Sequence, residues 1–508
     1  MSHMQRDHTN KLTSRRWWLL ATVGAGLLLI VLDNSILYTA MPALTADLGA
    51  SGSTALWIIN AYPVVMAGLL LGSGTLGDRI GHRRMFVTGL SIFGLASVLA
   101  AFSPNAELLI ASRALLAVGA AAMMPATLAL IRIAFDDPRE RNIAIAVWGS
   151  LSVVGAAMGP IVAGLLLERF WWGSVFLVNV PVVLAALAAT VLIAPRNDPN
   201  PEKSWDLTSS LQAMMALVGI VVFIKEVAHT PQNWTVVVLA AVAAVAGAVM
   251  FVRRQRRLAE PLLEFAIFRN RAFSGGVLAA AFAMFTIAGL QLITTQRFQL
   301  VEDFSPLQAG LLVAVIAFGA LPSGMIGGAF LHVIGLRILI SGGLAVATVG
   351  VAISALGVSL DQFWLLVCGF VVTGFGLGGA FSVASSAIMG NAAPKKAGMA
   401  ASVEEVSYEM GSLTAVAVLG TLVTAVYAAA VQLPSNAPAT AGESISDAVA
   451  TADGNTAILS AAYSAFDSAY LVTMAVLGVA LLIGTLTTAR LLRSYGPRTE
   501  AMEFSENH

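Results

Sequence analysis

The run AASVEEVSYEMGSLTAVAVLGTLVTAVYAAAV, from Ala400 to Val431, is apolar, glycine-spaced and long enough to cross a bilayer as one helix; about 20 residues suffice for that. Inside it stand three carboxylates, Glu404, Glu405 and Glu409. A charged group at membrane depth costs roughly 2.5–3.5 kcal/mol on insertion scales, so such groups face a cavity, pair with a cation or carry protons. The rest of the chain reads as the scaffold of that cavity. It has 508 residues, 58% hydrophobic and 11% charged, with mean hydropathy +0.83. Soluble domains carry about 25% charged residues, so the expected fold class is an all-α polytopic membrane protein. The single Cys368 lies in an apolar run and the six histidines show no metal-ligand spacing, so neither a disulfide framework nor a metal site is expected.

Fourteen apolar runs are long enough to span: 17–44, 54–76, 84–102, 107–134, 142–167, 172–194, 207–226, 234–252, 272–300, 307–331, 337–357, 362–389, 400–431 and 464–493. The first follows Lys11, Arg15 and Arg16 but is too long for a signal peptide and contains Asp33, so it reads as a retained span. The distribution of basic residues supports fourteen. With a cytoplasmic N-terminus, the inner loops receive Arg79, Arg83, Arg84, Arg132, Arg139, Arg141, Arg196 and Lys203. They also receive the cluster Arg253, Arg254, Arg256, Arg257, Arg269 and Arg271, then Arg337, Lys395, Lys396, Arg490, Arg493 and Arg498. The outer side keeps Arg169, Lys225 and Arg297. Both termini are therefore expected in the cytoplasm.

The expected organisation is a cytoplasmic tail at 1–16, a six-helix bundle at 17–194 and a polar, proline-rich linker at 195–206. Two inserted helices follow at 207–252, a basic loop at 253–271, a second six-helix bundle at 272–493 and a cytoplasmic tail at 494–508. Two bundles with a site at midplane between them are a transporter architecture. An outer segment at 432–463 is longer than ordinary loops, which marks it as either functional or disordered.

Short motifs narrow this reading. Gly74-Thr-Leu-Gly77-Asp78-Arg79-Ile-Gly81-His-Arg83-Arg84 joins spans two and three. Its glycines allow a tight turn, and Asp78 can accept hydrogen bonds from an arginine or a helix N-terminus. Arg113, in Arg113-Ala-Leu-Leu-Ala-Val-Gly119, is alone in the apolar run of span four and needs an anion or a carbonyl. Span five carries Gly155-Ala-Ala-Met-Gly159-Pro160-Ile-Val-Ala-Gly164, whose small residues permit close packing and whose proline can bend the helix. These three stretches, with Asn179-Val-Pro181 in span six, resemble motifs A, B and C of the major facilitator superfamily. The count of fourteen spans, with Met124-Pro125-Ala-Thr-Leu128 and Ala401-Ser-Val-Glu404-Glu405, is similar to its drug:proton antiporter branch.

The resemblance implies two six-helix bundles plus two inserted helices, a proton gradient as energy source and no cofactor. It implies export of lipophilic organic cations such as quaternary ammonium compounds, dyes and methyl viologen-like dications across the bacterial cytoplasmic membrane. The partners expected are those cations, protons and the lipid bilayer, with the protein a monomer and no nucleic acid bound. It also implies a coupling or substrate-binding acid at Asp33 in span one, beside Asn34. Two departures stand out. The span-two acid found in many relatives is Asn60 here, in Trp57-Ile-Ile-Asn60-Ala-Tyr62, and span ten has no acid in Ala317-Phe-Gly319-Ala-Leu-Pro322. An amide cannot carry the proton, so a narrower or monovalent-biased range is expected, or a specific exporter of a neutral or monovalent antibiotic or metabolite.

On span thirteen, Glu405 and Glu409 are four apart and share a helix face. Glu404 points about 100° away and pairs by spacing with Tyr408. Glu405 is the first choice for proton exchange, Glu404 the second, and Glu409 is expected nearer a cavity edge. Trp57, Tyr62, Trp148, Phe285, Phe381 and Tyr408 are aromatic groups for a cation to rest on. A membrane enzyme would need a nucleophile–base or metal set, and none is visible; three acids in one span argue against an anionic cargo.

Overall fold

The computed structural model describes residues 2–497 except 136, 202–204, 229–231, 260, 393–396, 436 and 453. Lys203, Lys395, Lys396 and Arg498 of the charge pattern lie outside the described residues, as do the side chains of Lys11, Arg139 and Arg141.

The first six spans are α1 (Ser2–Leu48), α2 (Gly52–Ile80), α3 (His82–Ala101), α4 (Ala106–Ala134), α5 (Pro138–Leu167) and the pair α6 (Ser174–Leu177) and α7 (Asn179–Ile193). The next two are α8 (Leu207–Ala228) and α9 (Trp234–Gln255). The last six are α10 (Arg271–Leu300), α11 (Pro306–Ile334), α12 (Gly343–Ser359), α13 (Phe363–Met389), α14 (Ala397–Ala415) continued as α15 (Thr421–Ala430), and α17 (Thr456–Leu491), with the short α16 (Ile445–Thr451) before it. Thirteen helical segments among the described residues are long and apolar enough to cross a membrane. α5, with an apolar part at Val154–Leu167, completes the expected fourteen. Large apolar side chains face outward, including Leu192 at 75% exposure and Met325 at 76%. Such exposure is costly in water and ordinary against lipid, where helices satisfy their own backbone groups.

α1 packs on α4, α5 and α7, α2 on α4, and α3 on α4 and α7, which makes one bundle. α10 packs on α13, α14 and α17, α11 on α13, and α12 on α13 and α17, which makes the other. The two meet along α2 and α14, α5 and α11, and α1 and α10. α8 lies on α2 and also touches α15, so the inserted pair covers the α2–α14 seam. Val64 and Ala67 of α2, Leu217 and Val221 of α8, Leu413 of α14 and Ala417 form the apolar cluster there. We call the face where α1 begins and α17 ends the terminal face, and the opposite one the distal face.

Three local findings differ from the expectations. α1 is helical from Ser2, so the segment expected as a tail continues the first helix. α2 runs on to Ile80, so Gly74, Gly77, Asp78 and Arg79 are helical and the turn is Gly81 alone, at φ +91°. Only glycine adopts that backbone without strain. The segment 432–463 is folded in its described residues: a 3-10 turn at Ala439–Gly442 and α16 lie over the distal face. There the Tyr427 hydroxyl donates to the Ala441 carbonyl at 2.9 Å, and α16 packs on α1, α10 and α17.

The linker is pinned at both ends. Asn197 donates to the Ile80 carbonyl at 2.7 Å and accepts from the Arg84 amide at 3.0 Å. Asp206, just before α8, accepts from both Nε and Nη2 of Arg254, at 2.9–3.1 Å, and from the Ser209 hydroxyl. Burial alone would raise the Asp206 carboxyl; the hydrogen bonds from Arg254 and Ser209 outweigh it and hold the group below its ordinary value. A depressed carboxylate contributes stability above its unfolded pKa of about 3.9, which fades as pH falls through the folded value. Asp206→Asn is therefore expected to cost about 1–2 kcal/mol at neutral pH. In thermal unfolding scans over a pH series, the difference from wild type should vanish in acid.

Candidate functional site

The first bundle is tied together around Asp33, which is 1% exposed in the middle of α1. Its Oδ2 lies 2.5 Å from Nη1 of Arg113 on α4, itself fully buried. Its Oδ1 accepts from the Asn179 amide at 3.0 Å, and that amide also reaches the Ser97 hydroxyl at 3.2 Å. Arg113 Nε donates to the Ile58 carbonyl at 3.4 Å, and its guanidinium lies 4.7 Å from the centre of the Tyr62 ring. Arg113 thus has both the anion and the carbonyl that a lone membrane arginine requires. Asp33 faces this arginine. Asn179 was quoted in the sequence only as part of a motif; the signal for its role was an amide within an apolar run.

Span thirteen carries its acids on the terminal side of the α2–α14 seam. Glu404 is buried and accepts from the Tyr408 hydroxyl at 2.6 Å, as its spacing implies, and from the Ser385 side chain. The Tyr408 ring stacks on Phe381 of α13, with centroids 4.7 Å apart and planes 12° from parallel. Glu404, Ser385, Phe381 and Tyr408 therefore form a connected cluster within the second bundle. Glu405 is half-buried, lies in the field of Glu404 and Glu409, and has no hydrogen bond or ion pair among the described residues. Glu409, one turn on from Glu405, is followed a turn later by Ser412, which reaches Tyr38 of the first bundle. Its charge is felt by Arg113, Tyr38 and Tyr62 of the first bundle, and its Oε2 is buried with no partner among the described residues. Of the three acids it is the one that lies in the field of Arg113. Close by, the Tyr38 hydroxyl meets Ser412 Oγ at 3.2 Å and joins α1 to α14.

Unpartnered polar atoms gather around this junction. Asn60 is fully buried with both side-chain amide atoms unpaired among the described residues, as are Asn34 Oδ1, the Tyr62 hydroxyl, Arg113 Nη2 and Asn179 Oδ1. An unpaired buried polar group costs about 1–3 kcal/mol, and buried polar groups are nearly always satisfied. All of them belong to helices of the first bundle, around the Asp33–Arg113 pair. The remaining aromatic residues are engaged elsewhere. Trp57 lies under the Lys225 ammonium of α8 at 4.9 Å, the Trp148 indole donates to Thr127 Oγ1 at 3.1 Å, and Phe285 is half-buried against the main apolar core.

On the distal side of the junction the two bundles are in direct contact. Gly155 and Gly159 of α5 lie against Leu28, Val31, Ser35 and Ile36 of α1. At Gly164 a Cβ would overlap the Leu307 backbone of α11, and at Gly310 one would overlap the Pro160 carbonyl. These small residues thus let the two bundles touch at backbone distance. Thr295 donates to the Tyr38 carbonyl and Gln299 to the Thr39 carbonyl, each at 3.0 Å, and Ser305 donates to Glu168 at 3.1 Å. On the terminal face, Asp78 pairs with His82 at 3.1 Å rather than with an arginine. Arg83 donates to the Val191 carbonyl at 2.7 Å, Arg79 is exposed, and Gly74 and Gly77 pack against Pro125 and His82.

Comparison with known proteins agrees with this architecture. Residues 23–301 match the family model described as Major Facilitator Superfamily, and residues 266–434 match that described as Sugar (and other) transporter. The methyl viologen resistance protein SmvA of Salmonella typhimurium is 35% identical over 481 residues, 92% of this chain and 97% of that protein. The multidrug efflux pump LfrA of Mycolicibacterium smegmatis is 37% identical over 495 residues, 94% of this chain and 97% of that protein. The solved structure of a bacterial homolog of the human lysosomal transporter Spinster aligns with TM-score 0.63 at 16% identity, covering 96% of this chain and 99% of that one.

Proposed function

Since this chain belongs to the major facilitator superfamily, we propose that it is a proton-coupled exporter of lipophilic organic cations. Relatives named for multidrug efflux and methyl viologen resistance, matched over nearly their whole length, support drug export. The observation that carries the rest is the set Glu404, Glu405 and Glu409 on one membrane helix at the seam of the bundles, with Glu409 in the field of Arg113. Glu405, half-buried and unpartnered among the described residues, is the carboxylate open to a cationic guest, and the stacked Phe381–Tyr408 pair supplies an apolar face beside it. Glu409 holds the exchanged proton. Trading one proton for one positive charge keeps the buried cluster's charge constant, so neither state strands an uncompensated carboxylate in the membrane.

The closed distal contacts fit a protein that takes its guest from the terminal face. Arg83, Arg84, Arg253, Arg254, Arg256 and Arg257 fall on that face, which supports its assignment to the cytoplasm of a bacterium. The protein acts as a monomer and needs no cofactor beyond the proton gradient.

Asn60 favours a second reading within the same class, a narrower exporter of neutral or monovalent compounds. Buried and unpaired, it offers hydrogen bonds where an acid would offer charge. Proteoliposome uptake of ethidium, tetraphenylphosphonium, methyl viologen and a neutral antibiotic separates the readings; transport of the neutral compound alone contradicts cation export. In the same assay Asn60→Asp should raise methyl viologen transport about tenfold, the equivalent of 1.4 kcal/mol. No improvement would remove the charge count as the determinant of range.

A further inference from the structure

The acid-bearing span is not one regular helix. Between α14 and α15 it passes through a π-helical turn, Val416–Gly420. Such a turn holds one residue more than the α-turn it replaces, and π-turns recur at functional sites. This one is packed: Val416, Ala417, Leu419 and Gly420 are buried, and Gly420 lies so close to Leu56 of α2 that a Cβ would overlap it. At its distal end the Thr421 hydroxyl is buried without a partner among the described residues.

The geometry of the extra residue has a direct consequence. Each α-helical residue advances the chain about 100° and 1.5 Å. If the π-turn relaxes to α with its residues retained, the segment on its terminal side turns by one such step relative to α15. α15 is the fixed partner, because Tyr427 is buried and bonded to Ala441. One step is also the angle between Glu404 and Glu405. After it, Glu405 stands where Glu404 stood beside Ser385, Glu409 stands where Tyr408 stacked on Phe381, and Met410 replaces Glu409 opposite Arg113.

We propose that this π-to-α interconversion at Val416–Gly420 is the positioning device that moves the span-thirteen acids between two surroundings. One is the α13 face that carries Ser385 and Phe381 in the second bundle; the other is the junction with the first bundle, where Ser412 of the same segment reaches Tyr38 and Glu409 lies in the field of Arg113 and Tyr62. In the observed register Glu409 lies in the field of Arg113, and Ser412 meets Tyr38. In the other it is withdrawn, and the Asp33–Arg113 pair is left to itself. In the second register Ser412 takes the place of Gly411, which lies at backbone distance from Ala281 of α10, so the twist of this segment is accompanied by a shift of α14 away from α10. The inference rests on the reading of these acids as the transport carboxylates.

The test uses the full chain in proteoliposomes with its single cysteine removed by Cys368→Ser. Cysteines placed one at a time at positions 402–412 are labelled with a soluble maleimide, with and without a pH gradient and with and without tetraphenylphosphonium. The expected result is that the reactive set moves along the sequence by one residue between conditions. The same positions reacting in every condition, with altered rates only, would overturn the inference. A second variant deletes Val418, which removes the extra residue while leaving both halves in their present register. It should bind tetraphenylphosphonium within about threefold of wild type and transport it at least about tenfold more slowly. Wild-type transport by this variant would also overturn the inference. If the unaltered protein moves no cation, the cation-export reading fails, while labelling with and without the pH gradient still decides the fate of the turn.

Discussion

Arg113→Met is expected to destabilise the protein by about 3–5 kcal/mol, the usual cost of removing one partner from a buried ion pair. The reason is local. Asp33 would remain 1% exposed with Asn179 as its remaining side-chain partner, and the Tyr62 ring would lose the guanidinium it covers. Neither water nor another cation stands ready to replace that charge, because Arg113 and Asp33 are both enclosed by the first bundle. Thermal unfolding in detergent should fall by several degrees. Asp33→Asn placed in the Arg113→Met background should recover most of the loss, since removing both charges of a buried pair is often near neutral. A double variant as unstable as the single one would show that Arg113 stabilises the bundle through packing and not through Asp33.

The second large effect is functional. Glu409→Gln should abolish uphill export, with a fall of roughly a hundredfold in proton-driven rate, while the fold is kept. Glutamine matches glutamate in shape but cannot exchange a proton. Glu409 lies in the field of Arg113 and Tyr38 and shares its influence on Tyr62 with Glu405, and its Oε2 is buried without a partner among the described residues. Glu405→Gln should act differently: it raises the KM for tetraphenylphosphonium about tenfold, 1.4 kcal/mol of lost binding, and leaves the coupling intact. Counterflow without a gradient separates the two. It should survive in Glu409→Gln and weaken in Glu405→Gln, and the reverse pattern would exchange the roles assigned here.

Much of the fold is legible in the sequence because lipid imposes a simple rule: each span is an apolar helix of sufficient length, and basic loops mark one side. The Glu404–Tyr408 bond is legible too, being a contact between residues four apart on one helix. The Asp33–Arg113 pair is only half legible. Each charge announces itself in an apolar run, yet nothing in the spacing says that α1 and α4 bring them together. Asn179 joins them from a third helix for the same reason. The direction of Glu409 is hidden more deeply. Helical spacing relates it to Glu405, but which face meets the first bundle depends on packing and on the π-turn at Val416–Gly420, which leaves no mark in the hydrophobic pattern. Motif A illustrates the converse, since its glycines suggest a loop while α2 continues through them and turns at Gly81 alone.

The central claim is that carboxylates at the bundle seam exchange a proton for a positively charged guest. Its most direct test is tetraphenylphosphonium uptake into inside-out proteoliposomes with an imposed acidic lumen and the membrane potential clamped to zero. Accumulation against the concentration gradient, with proton release from the lumen and loss of both in Glu409→Gln, is the predicted result. Accumulation that ignores the pH gradient, or that persists unchanged in Glu409→Gln, would contradict the account.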